Sequence, residues 1–173
     1  MRPTAPNSTD PVAWNAYLAE GNATQARKRV AADVLLRDPG GRVLLVNPTY
    51  KPGWDLPGGM AEENEPPHEA AARELHEELG LEISPRVLLV VDWVPPHGPW
   101  DDQIAFIFDG GTLGHEEAEG LRPHDAELSE IMFVAPDKAA AFLQDRLCRR
   151  FDAAMRAASA GIPAYLHDGV TVM

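Results

Sequence analysis

The chain has 173 residues, of which 45% are apolar and 24% are charged, and these values are ordinary for one globular domain with a real core. Its formal net charge of −12 argues against a nucleic-acid polymer as partner, because such a partner requires a basic surface. A polyanionic ligand would have to be neutralised locally, for example by metal ions.

Cysteine content and hydropathy bear on the compartment of the protein. Cys148 is the single cysteine, so no internal disulfide can form, and a reducing cytoplasm is the simplest expectation. No apolar run approaches the roughly 20 residues that a membrane-crossing helix needs, and the N-terminus lacks a signal-peptide pattern. The sequence therefore predicts a cytoplasmic protein that does not bind membranes.

The N-terminal region, residues 1–28, is predicted to be a tail followed by a helix. Residues 1–9 are rich in Pro, Asn and Ser and are typical of a loose tail. Asp10 and Pro11 form a helix-start signal, followed by apolar residues at helical spacing. This helix is predicted to end near Gly21 and either to cap the domain or to pair with a second subunit.

Two strands and a loop are predicted next. Residues 30–36 and 42–46 are mostly apolar, and the Asp-Pro-Gly-Gly turn between them predicts a hairpin. The loop over residues 47–56 contains the aromatic side chains of Tyr50 and Trp54. These side chains either contact a ligand or pack against the protein, and both interpretations stay open.

An acidic helix is predicted over residues 66–79. Pro66 and Pro67 suit a helix start, because the first helical N–H groups have no partner to lose. Strong helix formers follow, and Gly80 is the glycine that commonly follows a helix end.

Helical spacing divides the apolar and acidic side chains of this helix between two faces. The apolar face suits packing on a core, and the adjacent face gathers Glu74, Glu77 and Glu78. Like charges at this spacing repel, and a divalent cation with hard oxygen ligands would offset that repulsion. The alternative is a solvated acidic face on a surface helix.

The residues around this helix resemble the Nudix box, which is Gly, five residues, Glu, seven residues, then Arg-Glu-apolar-x-Glu-Glu-x-Gly-apolar. All fixed positions of the box match, and they are Gly59, Glu65, Arg73, Glu74, Leu75, Glu77, Glu78, Gly80 and Leu81. The chain is therefore similar to Nudix hydrolases. The resemblance implies a loop–helix–loop that binds Mg²⁺, with Mn²⁺ as the alternative ion, and presents a diphosphate to water.

The resemblance also assigns roles to the residues of the box. The implied metal ligands are Glu74, Glu77, Glu78 and the carbonyl of Gly59. The carboxylate that takes the proton from water would be Glu74 or Glu78, and this choice stays open. Glu65 and Arg73 would form a structural ion pair that ties the loop to the helix.

The segment after the box is predicted to contain strands over residues 87–94 and 103–108. In Nudix proteins the loop after the box often sets substrate choice, and Asp101 and Asp102 are the acidic candidates for substrate contact here. Pro95 or Pro96 lies where the ADP-sugar pyrophosphatase branch of the family has a proline. This position favours a nucleotide-sugar substrate.

The remaining residues predict a polar mobile loop, a strand, two helices and an extended tail. Their ranges are 110–125 for the loop, 127–134 for the strand, 136–143 and 144–158 for the helices, and 161–173 for the tail. Glu127 begins a Glu-apolar-x-Glu-x-x-aromatic segment that resembles the entry into a late strand of Nudix enzymes. Glu127 is therefore predicted to complete the metal site from across the cleft, and the alternative is an acid that faces water.

Strands and helices intermix without a regular βαβ alternation, so the predicted fold class is α/β with a mixed sheet. The resemblance specifies a Nudix-type α/β/α sandwich over residues 29–160. It implies a metal-dependent hydrolase that cleaves the pyrophosphate linkage of a nucleoside diphosphate joined to another moiety. ADP-ribose or another nucleotide sugar is expected first, and a nucleoside triphosphate second.

Two questions about function and assembly stay open at this point. The alternative function is a non-catalytic Nudix-fold module that binds or senses nucleotides, which the intact carboxylates of the box disfavour. The expected partner in either case is a small-molecule nucleotide. A homodimer is an alternative to a monomer, because many Nudix proteins pair.

Overall fold

The computed structural model describes residues 5–172 and shows a mixed eight-stranded sheet with helices on both faces. Residues 1–4 of the predicted N-terminal tail, and Met173 of the predicted C-terminal tail, lie outside the described residues. No helix in the described part of the chain is long and apolar enough to span a bilayer.

The sheet is built around β1, which pairs with three neighbouring strands. The strands are β1 Arg29–Arg37, β2 Val43–Pro48, β3 Gly58–Met60, β4 Val87–Val94, β5 Gln103–Thr112, β6 Leu128–Val134, β7 Ala164–His167 and β8 Val170–Thr171. Their order is β6-β2-β1-β5-β4-β7-β8, and β3 pairs antiparallel with β1. The β1–β5 and β4–β7 pairs are parallel, which makes the sheet mixed.

The helices are α1 Pro11–Thr24, α2 Pro67–Leu79, α3 His115–Gly120 and α4 Asp145–Ala160, with a 3₁₀ helix over Pro136–Ala141. Helices α2 and α4 pack on opposite faces of this sheet. Along β1, Val34 packs in the cluster that contains Leu75 of α2, whereas Leu35 packs in the cluster that contains Phe151 of α4. This alternation follows from the two-residue period of a strand. The predicted α/β/α sandwich with a mixed sheet is confirmed.

Helix α2 follows closely the local signals in its sequence. Pro66 is extended (ψ 140°) and the helix begins at Pro67. At the other end, Gly80 adopts a left-handed conformation (φ 68°), and its N–H donates to the carbonyl of His76 at 2.9 Å. The apolar face of α2 is buried on the sheet, so its acidic face points towards the loop that precedes the helix.

Three segments differ from the sequence-based expectations. Residues 110–125 contain a short helix, α3, because the Glu- and Ala-rich stretch between glycines favours a helical turn. The predicted helix over residues 136–143 is a 3₁₀ helix that ends at Ala141. Helix α1 has no buried residue, so it does not cap the core.

The predicted C-terminal tail adds two strands to the sheet. Strand β7 lies parallel to β4, and Leu166 is fully buried beneath α4. Asp168 and Gly169, both with positive φ, turn the chain into β8. Sequence alone showed a short extended segment, and the pairing with β4 depends on α4 returning the chain to that edge.

Candidate active site

Glu78, on the last turn of α2, is hydrogen-bonded to β3, the strand that precedes the helix. Its Oε2 accepts a hydrogen bond from the backbone N–H of Gly58 at 3.0 Å, and the residue is only 4% exposed. Burial raises the pKa of Glu78 to about 8; the Gly58 N–H opposes this rise, and the negative charge of Glu74 adds to it. A nearby cation would stabilise the charged form of this buried carboxylate.

Gly58 itself is required by the close approach of two strands. Its φ of 138° is unfavourable for residues with a side chain. A Cβ at this position would lie 2.3 Å from the carbonyl oxygen of Ala32 on β1. The backbone of β3 is thereby pressed against β1, which fixes the N–H that binds Glu78.

Gly59 has a different neighbour, the carboxylate of Glu74. A Cβ on Gly59 would lie 2.5 Å from Glu74 Oε1 and 2.6 Å from its Cδ. Burial raises the pKa of Glu74, Arg73 opposes this rise, and the charges of Glu77 and Glu127 add to it. The missing side chain of Gly59 therefore allows a desolvated carboxylate to lie directly against the backbone.

Arg73 organises the acidic face of α2. It forms a bidentate pair with Glu65, with Nε–Oε1 at 2.9 Å and Nη2–Oε2 at 3.0 Å, and it also donates to the carbonyl of Met60 at 3.0 Å. Its Nη1 lies 2.9 Å from Glu74 Oε1 and 3.0 Å from Glu77 Oε2. These bonds from Arg73 lower the pKa of Glu65. Arg73 thus connects the loop to the helix and partly neutralises two of the acids.

We call the place where Gly58 and Gly59 meet the acidic face of α2 the Gly58–Gly59 corner. The oxygen atoms at this corner form a donor set that fits a hard divalent cation. Within residues 5–172, no group of three or more His, Cys, Asp or Glu side chains is already arranged around a metal position. Two of the acidic side chains are instead bound to Arg73. The oxygens of Glu74 and Glu78, beside the backbone of Gly59, are nevertheless the ligand type that Mg²⁺ and Mn²⁺ prefer.

The segment before β6 lies beside the acidic helix. The N–H of His124 donates to the carbonyl of Glu78 at 2.8 Å, and the N–H of Thr49 donates to the carbonyl of Glu127 at 2.7 Å. The side chain of Glu127 is exposed, and its charge contributes to the raised pKa of Glu74. The structure therefore places Glu127 on the side of the acidic face where an additional ligand is expected.

A cavity of about 460 Å³ opens next to the Gly58–Gly59 corner. It lies above β1, between the loop after β2, the loop before β5 and the first turns of α4. Its aromatic lining consists of Tyr50, Trp54 and Trp100. This cavity is large enough for the nucleoside part of a nucleotide whose phosphates reach the corner.

The floor of the cavity carries a buried charge network that the sequence analysis missed. Arg150 Nε donates to Asp92 Oδ2 at 3.0 Å, and its Nη1 lies 3.8 Å from Asp33 Oδ2. Burial raises the pKa of Asp33 to about 7; Asp55 adds to this rise and Arg150 opposes it. The sequence carried one signal for this network, because the apolar strands β1 and β4 each contain an Asp. Strands that are buried on both faces rarely carry acids.

The predicted substrate-contact residues fall into two groups. Tyr50, which is 64% exposed, and Trp54 both line the cavity, and Trp54 also packs edge-to-face against Phe142. Asp101 and Asp102 are not among the lining residues. The carboxylate of Asp102 instead accepts hydrogen bonds from Lys28 and from Trp93 Nε1, so it anchors the loop.

Comparison with known proteins agrees with this fold. The NUDIX domain model matches residues 27–154. A Bacillus subtilis (strain 168) protein, by its name a candidate 8-oxo-dGTP diphosphatase, is 30% identical over 112 residues, which cover 65% of this chain and 70% of that protein.

Solved structures show the same fold at lower sequence identity. A UDP-X diphosphatase superposes with a TM-score of 0.65 at 18% identity, covering 92% of this chain and 89% of its own. An ADP-ribose pyrophosphatase from Streptococcus suis 89-1591 gives a TM-score of 0.59 at 16% identity, covering 82% and 99%. Because the NUDIX domain model covers residues 27–154, the chain belongs to the Nudix hydrolase family.

Proposed function

We propose that this Nudix hydrolase cleaves, with a divalent metal ion, the pyrophosphate linkage of a nucleoside diphosphate joined to another moiety. The observation that carries the proposal is the corner at Gly58 and Gly59. There, two desolvated carboxylates, Glu74 and Glu78, meet backbone groups at the edge of a cavity of about 460 Å³. The pyrophosphate would lie at the corner and the nucleoside in the cavity.

The residues that would hold Mg²⁺ are Glu74, Glu77 and Glu78, with the Gly59 carbonyl and Glu127 as further ligands. When bound, the ion would neutralise the phosphate oxygens and make the attacking water more acidic. Glu77 and Glu74 would then have to release their bonds to Arg73, which keeps its bidentate pair with Glu65.

In the chemical step, a water oxygen attacks one phosphorus of the pyrophosphate, and the bond from that phosphorus to the bridging oxygen breaks. Glu74 or Glu78 accepts the proton from water. Burial raises the pKa of both groups, so each is a stronger base than an exposed carboxylate once a bound cation favours its deprotonated form. The leaving phosphate carries away the bridging oxygen.

A second candidate substrate class is the nucleoside triphosphates. It is favoured by the name of the Bacillus subtilis relative, which refers to a deoxynucleoside triphosphate. The nucleotide-sugar class is favoured by the position of Pro95 and Pro96 and is consistent with the names of the two structural neighbours.

A substrate panel at fixed Mg²⁺, with products resolved by mass, tests this proposal. The panel contains ADP-ribose, nucleotide sugars, dinucleotides and nucleoside triphosphates, and hydrolysis in ¹⁸O-labelled water identifies the phosphorus that is attacked. We expect a nucleoside monophosphate and a phosphorylated partner as products, with ADP-ribose-like compounds turned over faster than triphosphates. Turnover of triphosphates alone would transfer the proposal to the second class, and nucleotide binding without turnover would indicate the non-catalytic module.

A further inference from the structure

The sheet face that carries α2 is open over its last two strands. Helix α2 packs mainly on β1, β3 and β5, whereas α4 packs on β4, β7 and β8 from the other side. Leu166 of β7 is buried beneath α4, so its neighbours Tyr165 and His167 lie on the α2 side of the sheet. Val170 pairs with His167 across the turn to β8, which places Val170 and, two residues on, Val172 on that same side.

The exposed surface there is apolar and contiguous. Tyr165 is 54% exposed, Val170 60% and Val172 46%. The half-buried Trp93 of β4 extends the patch, because the centroid of its ring lies 4.7 Å from that of His167 in an edge-to-face contact. We call these side chains the open face. A contiguous apolar patch marks an interaction surface, whereas single exposed apolar residues do not.

Helix α1 is a second apolar element without a packing surface. It contains one charged residue, Glu20, among 14 residues, and yet none of its residues is buried. Trp14, Tyr17 and Leu18 follow helical spacing, and the rings of Trp14 and Tyr17 lie 5.7 Å apart. A helix with so few charges is normally buried, and a helix of this length is only marginally stable in water by itself. Helix α1 therefore requires an apolar partner surface.

The connection from α1 to the domain is short and fixed at its end. Only residues 25–28 separate α1 from β1. Lys28 is bonded to the carboxylate of Asp102, and the guanidinium of Arg29 lies 4.5 Å from the centroid of the Trp100 ring. With the chain held there, neither α1 nor the open face is covered by another element of residues 5–172.

We propose that α1 of one copy of this chain packs on the open face of a second copy, and that the reciprocal contact forms a two-fold symmetric dimer. A helix on this part of the sheet would repeat the way in which α2 covers the neighbouring strands. Both surfaces are apolar apart from Glu20, so they can meet although each chain has a net charge of −12. The two-fold axis forms the contact twice, which brings the interface towards the roughly 1,200 Å² that stable complexes bury. This inference does not depend on the reaction that the site catalyses.

Light scattering after size exclusion, over a range of protein concentrations, tests the dimer. The wild type should have twice the mass of one 18.9 kDa chain. Leu18→Glu keeps a strong helix former but places a charge on α1, and Val170→Asp places one on the open face. Each should raise the Kd of the dimer by about a hundredfold or more, because the charge would be buried without a partner at both symmetric contacts. If Val170→Asp failed to fold, Leu18→Glu would decide, since α1 buries no residue in one chain.

Val12→Glu and Thr171→Asp are the matched controls. Val12 is exposed on a different side of α1 from Leu18, and the exposed Thr171 pairs with Leu166, which places it on the α4 side of β8. Both controls should keep the Kd of the wild type. Equal effects of all four substitutions, or a dimer that none of them weakens, would overturn the proposal.

Cross-linking distinguishes this exchange from packing of α1 on its own chain. In a Cys148→Ser background, Leu18→Cys and Val170→Cys are placed on separately tagged chains, which are mixed and treated with a short bis-maleimide. A link between the two tags supports the exchange. A chain carrying both cysteines that links only internally would overturn it, as would a wild type that stays monomeric in the high micromolar range.

Discussion

The Oε2 of Glu78 accepts a hydrogen bond from the backbone N–H of Gly58 at 3.0 Å, across twenty positions of the chain. This bond joins the last turn of α2 to the strand β3, which is itself paired with β1. The acidic helix is therefore positioned by the central strand of the sheet.

Glu78→Gln should lower turnover by about two orders of magnitude while the fold persists. The amide keeps the shape of the side chain but removes the negative charge that a hard cation and the transferred proton require. The measurement is kcat with Mg²⁺, together with the thermal midpoint. Glu69→Gln, an exposed acid in the first turn of the same helix, is the control and should stay near the wild type. Wild-type turnover in Glu78→Gln would refute the metal assignment.

Arg73→Ala should reduce stability as well as activity. The substitution removes the bidentate pair with Glu65, the bond to the Met60 carbonyl and the partial neutralisation of Glu74. We expect a loss of about 2 kcal/mol in the free energy of unfolding. Urea unfolding measures it, with Arg156→Ala, an exposed arginine on α4, as the control. If stability were unchanged while activity fell, the structural role of Arg73 would be wrong.

The adjacent glycines should respond differently to alanine. Gly59→Ala places its Cβ against the end of the flexible Glu74 side chain, so it should lower the free energy of unfolding by only about 1 kcal/mol or less. The substitution should nevertheless displace the Glu74 carboxylate and lower turnover at least about tenfold. Gly58→Ala meets the backbone of Ala32 at an unfavourable φ and should cost about 2 to 3 kcal/mol. Unfolding free energy and kcat, measured on both variants, distinguish the two roles. Similar effects at both positions would contradict this division.

The metal-free protein should lose stability as pH rises, because burial raises the pKa of Glu78 from 4.5 to about 8. A group whose folded-state pKa is raised contributes its full stability below its unfolded pKa and loses it as pH approaches the folded value. In EDTA, the free energy of unfolding of the wild type should therefore fall relative to that of Glu78→Gln between about pH 5 and pH 8. Mg²⁺ binds the deprotonated carboxylates, so it should restore more stability at about pH 8 than at about pH 6. A pH-independent difference would argue that Glu78 stays charged in the metal-free protein.

If this exposed acid completes the metal site, Glu127→Gln should weaken Mg²⁺ binding and raise the Mg²⁺ concentration needed for half-maximal turnover by about tenfold. The measurement is the Mg²⁺ concentration that gives half-maximal kcat. Glu117→Gln is the control, since Glu117 is exposed on α3 and bonds only to the N–H of Gly114 at 3.3 Å among the described groups. Small and equal effects in both variants would return Glu127 to the role of a solvated acid.

Sequence alone determined the acidic helix almost to the residue. Pro67 begins α2, Leu79 ends it and Gly80 terminates it in a left-handed conformation. Such signals act through backbone hydrogen bonds and side-chain sterics within a few positions, so they are readable without the fold. The spacing of the box likewise brought together Glu74, Glu77 and Glu78 on one face, because helical periodicity is a local property.

Only the tertiary structure decided which groups surround that helix. The burial of Asp33 beneath Arg150, and the support of Arg150 by Asp92, join β1, α4 and β4, which are far apart along the chain. The C-terminal strand β7 reaches β4 only because α4 returns the chain to that edge of the sheet. Sequence periodicity carries no information on such long-range pairs, whereas desolvation and charge pairing among packed elements fix both the cavity floor and the raised pKa values.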